Sequence, residues 1–201
     1  MNRNLAVVIQ AGGQSSRMGR DKGLVELAGR PMIDWVIDQV VDMADDVLIT
    51  TNNIHEYVQF GLRMASDPEP GAGALPGLRT ALSSAMGPFA LVIACDMPFV
   101  NRGLLEYQVE KAFETQADVV VPVWDGRMQT MHAVYRRENC LNAVDSALAA
   151  GKAKMTSFYD DLNVLTIGVD EVSRFSPTGK SFKNINTPEE LEEAERIMVL
   201  S

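Results

Sequence analysis

Cysteine and histidine are scarce in this sequence, two of each, and that scarcity removes several kinds of chemistry at once. Cys95 and Cys140 lie far apart and form no C-x-x-C pair. They read as free thiols in a reducing compartment, not as a disulfide staple. His55 and His132 have no partner spacing, and neither H-E-x-x-H nor G-x-S-x-G occurs. His132, inside an apolar strand, reads as a packed core residue. Positive charge is also in deficit: 18 Lys and Arg against 27 Asp and Glu leave a formal net charge of −9. That argues against nucleic acid or an anionic membrane as the main partner. No apolar run is long enough to span a bilayer, and no charged, apolar, small-residue leader precedes the first strand. The expectation is a cytoplasmic protein. Repeats and low-complexity segments are missing too. With 201 residues, 46% of them hydrophobic, the chain is expected to form a single globular domain over 1–201.

What is present is concentrated in one stretch, Val7 to Lys22, reading VVIQAGGQSSRMGRDK. An apolar run stops at Ala11, Gly12 and Gly13 and gives way to serines, Arg17 and Lys22. Glycines let a backbone approach a ligand closely, and consecutive turn N–H groups make an anion nest. Arg17 and Lys22 can add mobile positive charge against a triphosphate. The loop is not a Walker motif, since no Gly-Lys-Ser/Thr follows at the required spacing. Nor is it G-x-G-x-x-G, which would open directly into a helix. Helical spacing begins only at Pro31, so the loop is long, and long ordered loops at strand ends usually bind something.

Beyond it, strands and helices alternate. Pro31 to Ala44 has the apolar spacing of a helix, with Asp34, Asp38 and Asp42 on its solvated side. Val47 to Thr51 reads as a buried strand ending at Asn52. A short helix near His55 to Phe60 and a strand at Arg63 to Ala65 follow. The Pro- and Gly-rich segment from Asp67 to Gly77 reads as a loop over the same site, before a helix from Leu78 to Met86. Phe89 to Cys95 is the cleanest buried strand and stops at Asp96. A helix over Arg102 to Thr115, strands at Asp118 to Pro122 and Met131 to Tyr135, a helix over Cys140 to Ala150 and a late strand come next. Thr187 and Pro188 then open a last helix as N-cap and first residue. The alternation predicts an α/β fold, a three-layer α/β/α Rossmann-like arrangement with a mostly parallel central sheet. Ligands in such sheets sit at the carboxyl ends of the strands. The Gly12–Lys22 loop, Asn52, Asp67 and Asp96 all fall at that edge.

A cationic phosphate loop facing Asp67 and Asp96 suits phosphoryl or nucleotidyl transfer, which needs positioning and charge neutralisation above all. Asp96 fits a Mg²⁺ ligand, because Mg²⁺ commonly takes one or two carboxylates plus phosphates.

These residues also carry a resemblance. AGGQSSRMGRDKGLVELAGRPMIDWV, from Ala11 to Val36, resembles the AGGxSxRMGxDKxLxxxxGxPL signature of nucleotidyltransferases of the molybdenum cofactor guanylyltransferase type. Cys95-Asp96-Met97-Pro98 is similar to that family's CD-x-P, and Asn184 to Leu191 to its N-x-NTPEEL. The three motifs stand in order and nearly span the chain. The resemblance implies a Mg²⁺-dependent enzyme that transfers GMP from GTP to the terminal phosphate of Mo-molybdopterin and releases pyrophosphate. It places Gln10, Ala11, Gly12 and Gly13 against base and phosphates, with Arg17 and Lys22 as triphosphate cations. Thr50 or Asn52 would contact the nucleotide, Asp67 guanine or ribose, and Asp96 the metal. Asn184 and Asn186 would lie near the acceptor or metal. Molybdoenzyme-maturation proteins are the further partners it implies.

Four positions depart from the family's pattern. Gln10 replaces a customary Leu beside the base, and Thr130 replaces Pro in a Q-P-L-x-A segment. Lys152 and Lys154 stand where arginines are common. A CTP-using relative, a sugar-phosphate nucleotidyltransferase and a non-catalytic cofactor-delivery module are the competing readings, and base preference separates the first from GTP use.

Overall fold

The computed structural model of the chain describes residues 2–11, 21–68 and 71–199. Gly12, Gly13 and Arg17 therefore lie outside the described residues. In chain order the elements are β1 (Asn2–Gln10), β2 (Glu26–Leu27), β3 (Arg30–Pro31), α1 (Met32–Val40), β4 (Ala44–Thr50), α2 (Ile54–Tyr57), β5 (Arg63–Ala65) and α3 (Ala74–Ser84). Then follow β6 (Phe89–Ala94), α4 (Arg102–Thr115), β7 (Val119–Trp124), β8 (Arg127–Met128), β9 (His132–Arg136), α5 (Arg137–Ala149), β10 (Val164–Ile167), α6 (Val169–Val172) and α7 (Pro188–Val199).

One sheet runs β10-β7-β9-β6-β1-β4-β5, with β8 paired to β7. Strands β5, β4, β1 and β6 are parallel, as is β10 to β7. Strand β9 is antiparallel to both neighbours, so the regular alternation of the first half does not continue to the end of the sheet. Side chains of β1 alternate between two cores. Leu5, Val7 and Ile9 join the layer under α1 and α4, while Ala6 and Val8 face α3 and α5. A strand buried on both faces must be apolar throughout, which is why β1 and β6 read as unbroken hydrophobic runs. Among the described residues no helix is long and apolar enough to cross a membrane.

Several elements differ from the sequence expectation; β4 and α5, for instance, begin at Ala44 and Arg137, each three residues earlier than Val47 and Cys140. α1 ends at Val40, because Val41 is turned outward while Ala44 already begins the buried β4. The helix expected at Leu78 starts four residues earlier, at Ala74. Pro76 is tolerated there because its missing N–H falls in the first turn, where it has no intrahelical partner. The segment between Lys22 and Pro31 is not an open loop. It contains a 3₁₀ turn at Lys22–Leu24 and a β2–β3 hairpin, antiparallel through Glu26↔Pro31. Asp34 and Asp38 do lie on a solvated face, both within ion-pair reach of Arg30.

Candidate nucleotide site

The register decides where the site is. Gln10 pairs with Thr50 on one side and Ala94 on the other, so β1, β4 and β6 end level. Their next residues leave the sheet together, Ala11 N–H bonding Thr50 O and Cys95 N–H bonding Gln10 O. Over these strand ends lies a cavity of about 410 Å³. Of the residues expected from the sequence, Gln10, Ala11, Lys22, Thr50, Asn52, Asp67, Asp96 and Asn184 line it. Asn186 does not line it but touches the Lys22 ammonium. Neither Lys152 nor Lys154 lines it; Lys152 lies 3.9 Å from Asp160.

At one end of the cavity the charged groups meet. Asp96, only 7% exposed, follows β6. Its Oδ1 accepts from Asn184 Nδ2 at 3.0 Å, and its Oδ2 stands 3.4 Å from Lys22 Nζ. The same ammonium donates to Asn186 Oδ1. Asn184 and Asn186 both reach this cluster with their side chains. Ile185 points oppositely, into a small core with Leu27, Met32 and Ala194. The Ile185 N–H bonds the carbonyl of Asp96 itself, 3.0 Å away. Burial pushes the Asp96 carboxyl above its ordinary pKa, a rise opposed by Lys22, by backbone N–H and by Asn184. A carboxylate held in this way gains from any further cation brought beside it. Among the described residues no group of three or more His, Cys, Asp or Glu forms a metal cage. A buried hard-oxygen donor of this kind suits a cation that arrives with phosphates.

The other end is polar but carries less charge. Gln10 Nε2 donates to Gly77 O at 2.6 Å and draws the first turn of α3 onto the end of β1. Gly73, before that turn, has φ +116°, a conformation that L side chains rarely adopt. Asp67 N–H donates to Asn52 Oδ1, and Thr80 Oγ1 donates to Asp67 Oδ1 at 3.3 Å. Thr80 was not expected, although a hydroxyl on the buried face shared by Leu75, Leu78 and Leu82 was the available signal. Asp21 was also missed. It lines the cavity and accepts from Gly23 N–H, Asn53 Nδ2 and Tyr57 Oη.

His132 is fully buried and meets the Phe182 ring edge-on at 5.0 Å. Burial lowers its pKa to about 4, so it is neutral near pH 7 and sits in the core. Cys95 and Cys140 are buried and unpaired, and burial raises both thiol pKa values. Thr130, the departure from Pro, supplies its backbone carbonyl to Tyr135 Oη at 2.6 Å, a role that proline would fill equally.

Comparison with known proteins bears on the family and the fold. Residues 7–164 match the model of the MobA-like NTP transferase domain. A molybdenum cofactor guanylyltransferase from Desulfosudis oleivorans is 36% identical, covering 94% of this chain and 93% of the relative. The crystal structure of molybdopterin-guanine dinucleotide biosynthesis protein A from Archaeoglobus fulgidus superposes with a TM-score of 0.83. It is 26% identical, with coverage of 98% of this chain and 100% of the other. The 2-C-methyl-D-erythritol 4-phosphate cytidylyltransferase from Thermus thermophilus shares the fold at a TM-score of 0.71 and 19% identity. That match covers 96% of this chain and 98% of the other.

Proposed function

This chain belongs to the MobA-like NTP transferase family, and on that premise we propose that it is a molybdenum cofactor guanylyltransferase. It transfers GMP from GTP to the terminal phosphate of Mo-molybdopterin and releases pyrophosphate. The observation that carries the reading is the meeting of Lys22, Asp96, Asn184 and Asn186 at one end of a cavity whose other end is walled by Gln10, Asn52, Asp67 and Thr80. Triphosphate belongs at the first end and base with ribose at the second. Full-length relatives bearing the guanylyltransferase name support GTP as donor.

A phosphate nucleophile is already anionic near neutral pH, so no side chain has to deprotonate it. The work left to the protein is alignment and charge compensation. Lys22 sets a positive charge against the triphosphate, with Arg17 proposed beside it and the backbone of Gly12 and Gly13 against the phosphates. Asn184 and Asn186 hold Asp96 and Lys22 in register on the acceptor side. Thr50 and Asn52 end the β4 wall that receives the nucleoside. The donor set fits Mg²⁺: one buried carboxylate oxygen pair and polar neighbours, with no competing cage among the described residues. Asp96 would hold it, and when bound it would neutralise phosphate charge. The whole of 1–201 is read as one nucleotidyltransferase domain, cytoplasmic, passing its product to molybdoenzyme-maturation proteins.

The test is a melting-temperature panel with GTP, CTP, ATP and UTP, each with and without Mg²⁺, followed by pyrophosphate release with Mo-molybdopterin. Ligand that binds only the folded state raises the melting temperature by mass action. GTP is expected to give the largest shift, enlarged by Mg²⁺, and to be the donor turned over. A larger CTP shift would move the assignment to the cytidylyl relative, and binding without pyrophosphate release would move it to a delivery module.

A further inference from the structure

Lys22 carries its charge on a flexible four-carbon stem, and such a charge is only as well placed as the backbone from which it grows. That backbone is fixed unusually firmly. Asp21, the residue before it, accepts from three sources. Its Oδ1 takes the Gly23 N–H at 3.2 Å and the Tyr57 hydroxyl, and its Oδ2 takes Asn53 Nδ2 at 2.9 Å. Tyr57 is completely buried, although its helix is a single turn whose neighbours Ile54 and Val58 are 40% and 63% exposed. A buried tyrosine hydroxyl needs a partner, and here the partner belongs to a segment 36 residues away. The Lys22–Leu24 turn is therefore gripped by Tyr57 and packed beside Cys95: a Cβ added at Gly23 would come within 2.5 Å of Tyr57 Oη and 3.2 Å of Cys95 Sγ. A side chain there would push into both. Cys95 in turn precedes Asp96, so the seat of the cation and the seat of the carboxylate are the same contact.

We propose that Asp21, Tyr57 and Asn53 form a positioning clamp that holds the Lys22 turn against Cys95, and so sets the lysine for the triphosphate. Asp21 acts through Lys22 as a positioning residue, both of its oxygens accepting from the clamp. This inference rests on the reading of the cavity as the GTP site.

The test is a double-mutant cycle read by the calorimetric dissociation constant for GTP with Mg²⁺, which remains measurable in variants that do not turn over. Tyr57→Phe removes only the hydroxyl and is expected to weaken GTP binding about tenfold. Lys22→Ala weakens it further, and Tyr57→Phe added to Lys22→Ala has no additional effect. Additive losses, or a Tyr57→Phe protein that binds GTP like the wild type, would overturn the proposal. A second measurement does not depend on nucleotide: amide exchange at Gly23 and Leu24 in the free protein. It should accelerate about tenfold in Tyr57→Phe while amides of β1 and β6 keep their protection. Unchanged exchange at Gly23 refutes the clamp whether or not GTP binds. Failure of the wild type to bind GTP, with accelerated exchange in the variant, would instead count against the nucleotide reading alone.

Discussion

Replacing Asp96 by Asn separates the stability of this site from its use. The carboxylate stands 3.4 Å from the Lys22 ammonium, a gross attraction of about 5 kcal/mol at an effective dielectric of about 20. Two things reduce it. The lysine keeps 30% of its side chain in water, which screens the pair, and taking the carboxylate out of water has a cost of its own. The direction of the pKa decides which effect wins. Asp96 is shifted upward, with burial as the largest cause, so desolvation outweighs Lys22, the backbone and Asn184 together. A raised folded pKa means that the native state holds the proton more tightly than the unfolded chain. Its contribution to stability therefore falls as pH rises from the unfolded value through the folded one. Near neutral pH the charge is a cost to the fold, and Asp96→Asn removes it while leaving an oxygen for Asn184 or Lys22. The free variant should melt within about 3 °C of the wild type, or above it, given about 2–4 °C per kcal/mol for a chain of this size. Ligand binding should differ sharply. At one hundred times its dissociation constant, GTP with Mg²⁺ stabilises the wild type by about 2.7 kcal/mol, or roughly 5–10 °C. A hundredfold weaker variant retains about 0.4 kcal/mol, near 1 °C. Pyrophosphate release should fall by about 10²–10³. Scanning calorimetry with and without nucleotide, beside a pyrophosphate assay, checks all three. A folded Asp96→Asn protein with the full Mg²⁺-dependent shift would refute the assignment of Asp96 as the metal's seat.

Lys22→Ala should lower kcat/KM for GTP by about 10²-fold, measured from initial rates over a GTP series; wild-type kinetics would remove the lysine from the site. Gln10→Leu takes away the 2.6 Å bond to Gly77 O, at about 1 kcal/mol of stability by denaturant melt, and should raise KM for GTP several-fold with kcat nearly unchanged. His132 has a folded pKa of about 4, lowered by burial, and its ordinary value is about 6.5. The unfolded chain binds the extra proton between those values, so the stability owed to neutral His132 is present above pH 6.5 and lost as pH falls through about 4. That loss amounts to about 3 kcal/mol. His132→Leu, read by urea melts at pH 7 and pH 4.5, should flatten the acid side of the profile and leave turnover intact.

The parts of this site that were legible in the sequence share one property: local pattern specifies them. β1 and β6 announce themselves as unbroken apolar runs because both faces are covered, and each run stops where the cavity opens. Lys22 and Asp96 follow from those stops. Asp21 was not legible, because its role depends on Tyr57 and Asn53, and a short helix with one buried tyrosine has no periodicity to read. The start of α3 was hidden for a different reason. Pro76 and Gly77 are breaker residues by type, yet the proline falls in the first turn, and the glycine contributes its carbonyl to Gln10. β9 runs antiparallel because the chain returns beside β7 through the short β8 connection, too short for the crossover that a parallel strand needs, and strand direction leaves no mark on a five-residue segment. Gly12, Gly13 and Arg17 lie outside the described residues, and their part in the site rests on the sequence.

The last helix explains how residues more than 160 positions apart come to share one charge cluster. Glu190 accepts from the Asn186 N–H at 2.6 Å and the Thr187 N–H at 3.0 Å, while its own N–H donates to Thr187 Oγ1 at 3.2 Å. This reciprocal pairing satisfies the two amides that lead into α7 and one in its first turn, and it fixes the angle at which the chain enters the helix. Asn186 is thus held from two directions, by the helix cap through its backbone and by Lys22 through its side chain. Ile185, between the asparagines, is anchored in the small core that α7 shares with the β2–β3 hairpin. The hairpin begins two residues after the Lys22 turn, so the same core seats both partners of the contact. A capping motif that in most proteins would only start a helix here aligns an amide oxygen with the site's cation. The motif Asn-Ile-Asn-Thr-Pro-Glu-Glu is therefore one unit, with the asparagines reaching the site and the threonine, proline and glutamate keeping them there.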